Sequence, residues 1–230
     1  MSDRVGTFTC APDALLGVAS GSLTTDFLLI AACYCLGCFT AGYYWVRGRT
    51  GQDIRQLGSG SVGARNVGRF LGPWAFVVVL LLDFTKGALA VWLATKFDAS
   101  PEVTVMAMAA VVVGHTWPAQ LRFHGGKGVA TSLGAILAFD PLSALLIVLV
   151  FLVCFPLLRN FTLAGLLAFA LSPFAGFLTA FGVNEVAALS SLAAIVLLAH
   201  HKNIRQEIAG IFADPSLKEN PMRTDKGSGL

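Results

Sequence analysis

The chain is expected to be all-α, a polytopic membrane helix bundle of about seven transmembrane helices, several of them short, and three observations predict this. It is 56% hydrophobic over 230 residues, with a mean hydropathy of +0.73. It is only 13% charged, whereas charged residues make up about a quarter of soluble domains. Its apolar residues also fall into seven runs, separated by polar, basic or glycine-rich stretches. An ordinary soluble domain is excluded by this composition.

Residues 1–24 are mixed and polar, and their one apolar run, Ala14 to Ala19, is too short for a signal-peptide core. They read as a polar N-terminal extension. The first apolar segment is 25–46 and carries Cys33, Cys35 and Cys38. With no second cysteine pair and no histidine at zinc spacing, these read as small apolar residues of a membrane helix, and no metal is expected. The second segment, 73–96, is the longest, and the third spans 102–117. The fourth, 128–140, is brief and rich in Ala and Gly; then come 142–158, 161–182 and 185–200. Segments near 15 residues fall short of the ~20 needed to cross a hydrocarbon core, so they must be buried among other helices or broken near an aqueous site. The chain thus divides into the extension, a single transmembrane domain over 25–200 and a C-terminal tail over 201–230.

Orientation follows from the basic residues, because cytoplasmic loops carry Lys and Arg. Seven spans with the N-terminus outside put Arg47, Arg49, Arg55, Arg65, Arg69, Arg122, Lys127, Arg159, Lys202, Arg205, Lys218, Arg223 and Lys226 in the cytoplasm. Only Arg4 and Lys96 then lie outside, while Lys86 falls within the second segment.

Polar chemistry collects in four places. Between the third and fourth segments, Gly114 to Thr131 reads GHTWPAQLRFHGGKGVAT. Alone, GGKG is a glycine-rich turn with a snorkelling lysine; before an apolar helix it also suits an anion, through close backbone N–H groups and the Lys127 charge. Gly48 to Gly72 is too glycine-rich for a stable helix. There Ser59, Ser61 and Asn66 can donate to phosphate oxygens and Arg65 and Arg69 can clamp them, although a basic loop lying on anionic headgroups is the competing reading. Asp83 and Lys86 stand at i and i+3 in the second segment, read as a structural pair that anchors the loop. His200-His201-Lys202-Asn203-Ile204 ends the last segment, where adjacent histidines make a poor chelate.

Together these stretches resemble the bacterial acyl-phosphate:glycerol-3-phosphate acyltransferase family over residues 37 to about 210. That family's pattern is a GSGN-x-GATN-like loop followed by Arg, a DxxKG element, a GHxxP…GGKGVAT segment and a terminal HxxNI. This chain supplies Gly58-Ser59-Gly60-Ser61-Val62-Gly63-Ala64-Arg65-Asn66 with Arg69, then Asp83 to Gly87, then Gly114 to Pro118 with Gly125 to Thr131, then His200 to Ile204. It departs from the pattern with Ser61 for Asn, Arg65 for Thr, Cys38 where a Gly-Ser-like start is common in the first segment, and Gln206 for a basic residue.

The resemblance implies transfer of a fatty acyl group from acyl phosphate to the primary hydroxyl of glycerol 3-phosphate, giving 1-acylglycerol 3-phosphate and phosphate. It makes residues 25–200 the acyltransferase domain. It implies phosphate recognition by Ser59, Gly60, Ser61, Asn66, Arg69 and Lys127, with the Gly125, Gly126, Lys127 and Gly128 backbone stabilising an anion. His115 and Asn203 would position the reactants, with a contribution from His200. It further implies a multi-pass protein of the bacterial inner membrane with its site facing the cytoplasm, acting on two phosphate-bearing substrates without a cofactor or nucleic acid; oligomeric state is left open. Neither Ser59 nor His115 has a visible carboxylate to complete a triad, so direct transfer is expected. No HxxxxD acyltransferase signature follows His115 or His200, and Lys127 is followed by Gly128 rather than the Ser or Thr of a P-loop. A transporter of phosphate or a small organic anion is the alternative, since it too would use short broken helices and buried charge.

Overall fold

The computed structural model describes residues 22–178 and 182–205, and the described residues hold helices and turns with no strand. The polar extension and the C-terminal tail, Gln206 included, lie outside them apart from residues 22–24 and the helical stretch 201–205.

The first apolar segment is two helices rather than one. Helix α1, Leu23–Cys38, starts at Ser22, whose hydroxyl accepts from the Thr25 N–H, and α2, Ala41–Thr50, ends at Gly51 in a left-handed conformation at φ 71°. Between them the chain is extended at Phe39. The break strands carbonyls inside the bundle, where each needs a donor. Lys86 Nζ reaches the Gly37 and Phe39 oxygens at 3.3 and 3.1 Å, and Gln120 Nε2 donates to Cys38 O.

Residues 51–63 form the expected irregular loop, but the expectation of no helix up to Gly72 is corrected by α3, Ala64–Leu71. Its short inward face, Ala64, Asn66 and Val67, packs on α2 and α4. That packing outweighs the low propensity of a single internal glycine. Helix α4, Pro73–Lys96, opens on Pro73, whose missing N–H costs nothing at a first helical position.

Helix α5 is Pro101–Thr116, α6 is Val129–Phe139, α7 is Pro141–Leu158, α8 is Phe161–Leu178 and α9 is Val183–Ala199. Among the described residues, three stretches are long and apolar enough to cross a membrane: Leu23–Thr50 taken through its break, α4 and α7. The others are short, as expected. Helix α6 is only about 16 Å long at 1.5 Å per residue, and it survives by being enclosed by α4, α5, α7 and α9.

Glycines set how closely these helices approach. A Cβ on Gly87 would strike Thr131 O of α6, and one on Gly134 would strike Phe84 O of α4. Gly37 and Gly114 join α1 to α5 in the same way. In lipid, where apolar side chains gain little by leaving the solvent, such backbone approach is what holds helices together. Outward, α7 exposes Leu145, Leu149, Leu152, Val153 and Leu157, and α4 exposes Trp74, Leu81 and Trp92. An apolar exterior of this extent suits lipid and would be an aggregation hazard in water.

Candidate active site

A cleft of about 890 Å³ lies between α3, α4, the 114–130 segment, α7, α8 and the end of α9. Its polar lining comes from the sequence-predicted stretches: Ser59, Ser61, Asn66, Arg69, His115, Lys127, Gly128, His200 and Asn203. Its apolar lining comes from helix faces, including Phe76, Leu80 and Phe84 of α4, spaced four residues apart, and Phe151 and Phe169. A charged headgroup and an alkyl chain could share such a space.

The glycine loop is built around Asn66, which is 2% exposed. Its Oδ1 accepts from the Ser59 N–H at 3.1 Å, and its Nδ2 donates to the Leu57 and Ser61 carbonyls at 2.9 Å each. Asn66 therefore has no donor left for phosphate, and its expected role as a ligand becomes that of a residue shaping the loop. Gly58 and Gly60 adopt φ of 56° and 70°, left-handed values that favour glycine. A Cβ at Gly58 would also collide with Asn66 Oδ1. Gly60 gives its N–H to Leu57 O at 3.0 Å and does not line the cleft. The Ser61 hydroxyl accepts from the Gly63 N–H at 3.2 Å, and Ser59 lines the cleft.

Two ties hold this loop to the 114–130 segment. Arg55 donates to Leu121 O at 2.8 Å while it is clamped by Asp53 at 2.6 Å and lies over the Tyr43 ring. That guanidinium holds the Asp53 carboxyl below the usual carboxylate range. The Val62 N–H reaches Gly125 O at 3.4 Å.

The segment itself folds back on the end of α5. After a turn with Arg122 and Phe123 at positive φ, the Gly125 N–H donates to Thr116 O at 3.1 Å and the Gly126 N–H to His115 O at 2.9 Å. Both amides are spent on the last carbonyls of α5, which corrects the expectation that they bind an anion. Their glycine requirement is steric: a side chain on Gly126 would occupy the His115 ring, and one on Gly125 would strike His115 O. Among the described residues, the backbone amides of Lys127 and Gly128 have no such partner, and Gly128 at φ 77° starts α6. With the first-turn amides of α6, they are unpaired N–H groups at a helix N-terminus, an arrangement suited to an anion.

Lys127 is half-buried and reaches Asn203 Oδ1 at 2.9 Å, joining the last motif to the third. Burial, with Arg65 and Arg69 nearby, lowers its pKa from the ordinary lysine value. Arg65, the departure from the family pattern, spans the cleft to donate to Thr162 Oγ1 at 2.8 Å and lies 5.1 Å from the Phe161 ring centre. Asp83 and Lys86 form the expected pair at 3.0 Å, but they hold His115 and the α1–α2 break rather than the loop.

Sequence reasoning missed the α7–α8 turn. Arg159, at φ 49°, and Asn160, which caps α8 through the Thr162 and Leu163 N–H groups at 3.0 and 3.1 Å, both line the cleft with Thr162. The signal was Arg159-Asn160 and Thr162, polar residues interrupting two apolar runs.

Known proteins share this architecture. A sequence profile of the glycerol-3-phosphate acyltransferase family matches residues 27–210. Glycerol-3-phosphate acyltransferase 1 of Desulfitobacterium hafniense is 43% identical over 79% of this chain and 90% of its own length. The glycerol-3-phosphate acyltransferase of Synechococcus sp. is 40% identical over 82% of this chain and 94% of its own length. A crystal structure of PlsY, an integral membrane glycerol 3-phosphate acyltransferase, in its glycerol 3-phosphate form matches with a TM-score of 0.74 at 33% identity, covering 85% of this chain and 100% of that one. Its lysophosphatidic acid form matches at 0.72 and 34%, covering 81% of this chain and 93% of that one. With the profile spanning most of the chain and relatives this similar matched over nearly their whole length, the chain belongs to the glycerol-3-phosphate acyltransferase family.

Proposed function

We propose that this multi-pass membrane enzyme acylates glycerol 3-phosphate at its primary hydroxyl, taking the acyl group from acyl phosphate and releasing inorganic phosphate. The observation that carries the reading is one cleft lined both by basic and polar groups suited to phosphate and by a long apolar wall. Lys127, Arg69 and the amides that open α6 hold the phosphates, and Ser59 contributes a hydroxyl. Phe76, Leu80, Phe84, Phe151 and Phe169 take the acyl chain.

Acyl phosphate is a mixed anhydride and already activated. The acceptor hydroxyl oxygen forms a bond to the carbonyl carbon, the bond from that carbon to the phosphate oxygen breaks, and phosphate leaves with the electron pair. The protein's part is to align the two substrates and to stabilise negative charge as it develops. The cleft opens to the cytoplasm of the inner membrane on this reading, which supplies glycerol 3-phosphate from the aqueous side and acyl chains from the bilayer.

The test is purified protein in detergent micelles given glycerol 3-phosphate and acyl phosphate. Formation of lysophosphatidic acid is expected. No acylation in micelles, together with phosphate uptake by the same protein in sealed vesicles, would instead favour an anion transporter.

A further inference from the structure

Glycine inside a helix is destabilising relative to alanine, so it persists where a side chain would be in the way. Gly37, Gly87, Gly114 and Gly134 fit that description, because a Cβ on any of them would strike a carbonyl of the facing helix. Gly165 does not. It lies inside the 18-residue α8, yet no heavy atom stands within 4 Å of where its Cβ would be. Gly165 lines the cleft, so what its missing side chain leaves clear is cleft space rather than a helix contact.

Phe161, Thr162, Ala168 and Phe169 of the same helix also line the cleft. They stand three or four residues from Gly165 on either side, which puts Gly165 at the centre of the helix face that forms this wall. The wall changes character along its length. Thr162, about 4.5 Å away at 1.5 Å per residue, accepts from Arg65 and belongs to the polar end. Ala168 and Phe169, about 4.5 and 6 Å in the other direction, are 1% and 3% exposed and belong to the apolar end. Gly165 is therefore the open position between the two, and the remaining apolar lining from Phe76, Leu80, Phe84 and Phe151 is bulky.

We propose that Gly165 determines acyl-chain specificity: the space it leaves lets a long, unbranched alkyl chain run from the polar end of the cleft past α8 to Ala168 and Phe169. The proposal rests on the acyl-transfer reading and adds to it the class of donor the cleft takes. Methylenes beyond Gly165 bury apolar surface against the bulky side chains, and a long chain gains that contact where a short one ends before it. Bulk at position 165 would fill the passage, so it would penalise long chains and leave short ones untouched.

The experiment measures kcat/KM of the full chain in detergent for a series of saturated acyl phosphates from butanoyl to hexadecanoyl. In Gly165→Leu the value for hexadecanoyl phosphate should fall about ten-fold or more relative to the shortest chain the wild type uses, with KM for glycerol 3-phosphate within about two-fold. Leu167→Phe adds bulk on the same helix at a residue that is 38% exposed and outside the cleft lining, and it should leave the chain-length profile unchanged. An unchanged profile in Gly165→Leu, an equal fall at every chain length, or the same shift in Leu167→Phe would overturn the proposal. Should Gly165→Leu not fold, Gly165→Ala decides, since its methyl group fits the open space: its thermal unfolding midpoint should rise as the helix loses a glycine, and its profile should shift about two-fold in the same direction. A lowered midpoint or an unshifted profile in Gly165→Ala would overturn it as well. Failure of the wild type to form lysophosphatidic acid from any donor of the series would instead sink the acyl-transfer reading itself.

Discussion

Lys127 carries the most chemistry of any single residue in the cleft, since it combines a half-buried ammonium, a contact to Asn203 at 2.9 Å and the amides that open α6. Removing a charge-assisted contact to phosphate costs roughly 1.5 to 3 kcal/mol. Lys127→Ala and Arg69→Ala should therefore each lower activity by a factor of about ten to a hundred, measured as initial rates on protein that elutes from gel filtration like the wild type. A folded double variant with wild-type turnover would exclude both from phosphate binding. The lowered pKa of Lys127 adds a pH dependence. On the proposed reading the charged form binds phosphate; it is present below that pKa and lost as pH rises through it, so the alkaline limb of kcat/KM should fall earlier than an ordinary lysine would give. Lys127→Arg, always charged, should move that limb to higher pH; a limb that stays in place would assign it to another group. At this scale the sequence showed which side chains gather, because Lys, Arg and Ser announce their chemistry. It did not show that Asn66 and the Gly125 and Gly126 amides are already bonded within the protein, since partners for them are set by how the loops fold back.

Among the helices, the α4–α6 contact has the least room for change. Gly87 and Gly134 meet backbone atoms of the facing helix, so no side chain can be accommodated without separating the two. Overpacking of this kind costs typically about 1 to 3 kcal/mol. Gly134→Leu should lower the thermal unfolding midpoint in detergent and reduce activity through the displaced start of α6. Leu137→Ala is the control on the same helix, because Leu137 faces outward and is 43% exposed. Equal destabilisation by both variants would contradict the close-approach account. Hydropathy made the seven apolar segments legible because span length is a property of composition. The break at Phe39 was not legible, since its donors, Lys86 and Gln120, lie far along the chain. Helix α3 was hidden for a related reason: its inward face is only three residues, too few to read as a period against the surrounding glycines.

For the molecule as a whole, the proposed orientation, with thirteen of the sixteen basic residues on one side, would put the glycine loop and the 114–130 segment in the cytoplasm. Both stretches contribute to one cleft, so they must share a side of the membrane. Reporter cysteines at Gln56 and Gln120, which are exposed, should react in a background lacking the native cysteines only once the inner leaflet is accessible. Labelling of either from outside intact cells would reverse the topology. The order of the four motifs was legible along the chain, and their convergence followed from the resemblance; the part played by the α7–α8 turn came only with the fold, because Arg159, Asn160 and Thr162 match no motif. The central claim is the donor. Purified protein in chelator-treated detergent buffer should convert acyl phosphate and glycerol 3-phosphate to lysophosphatidic acid with one phosphate released per acyl group transferred, and should give no product from acyl-CoA; product from acyl-CoA alone, or from neither donor, would contradict the account.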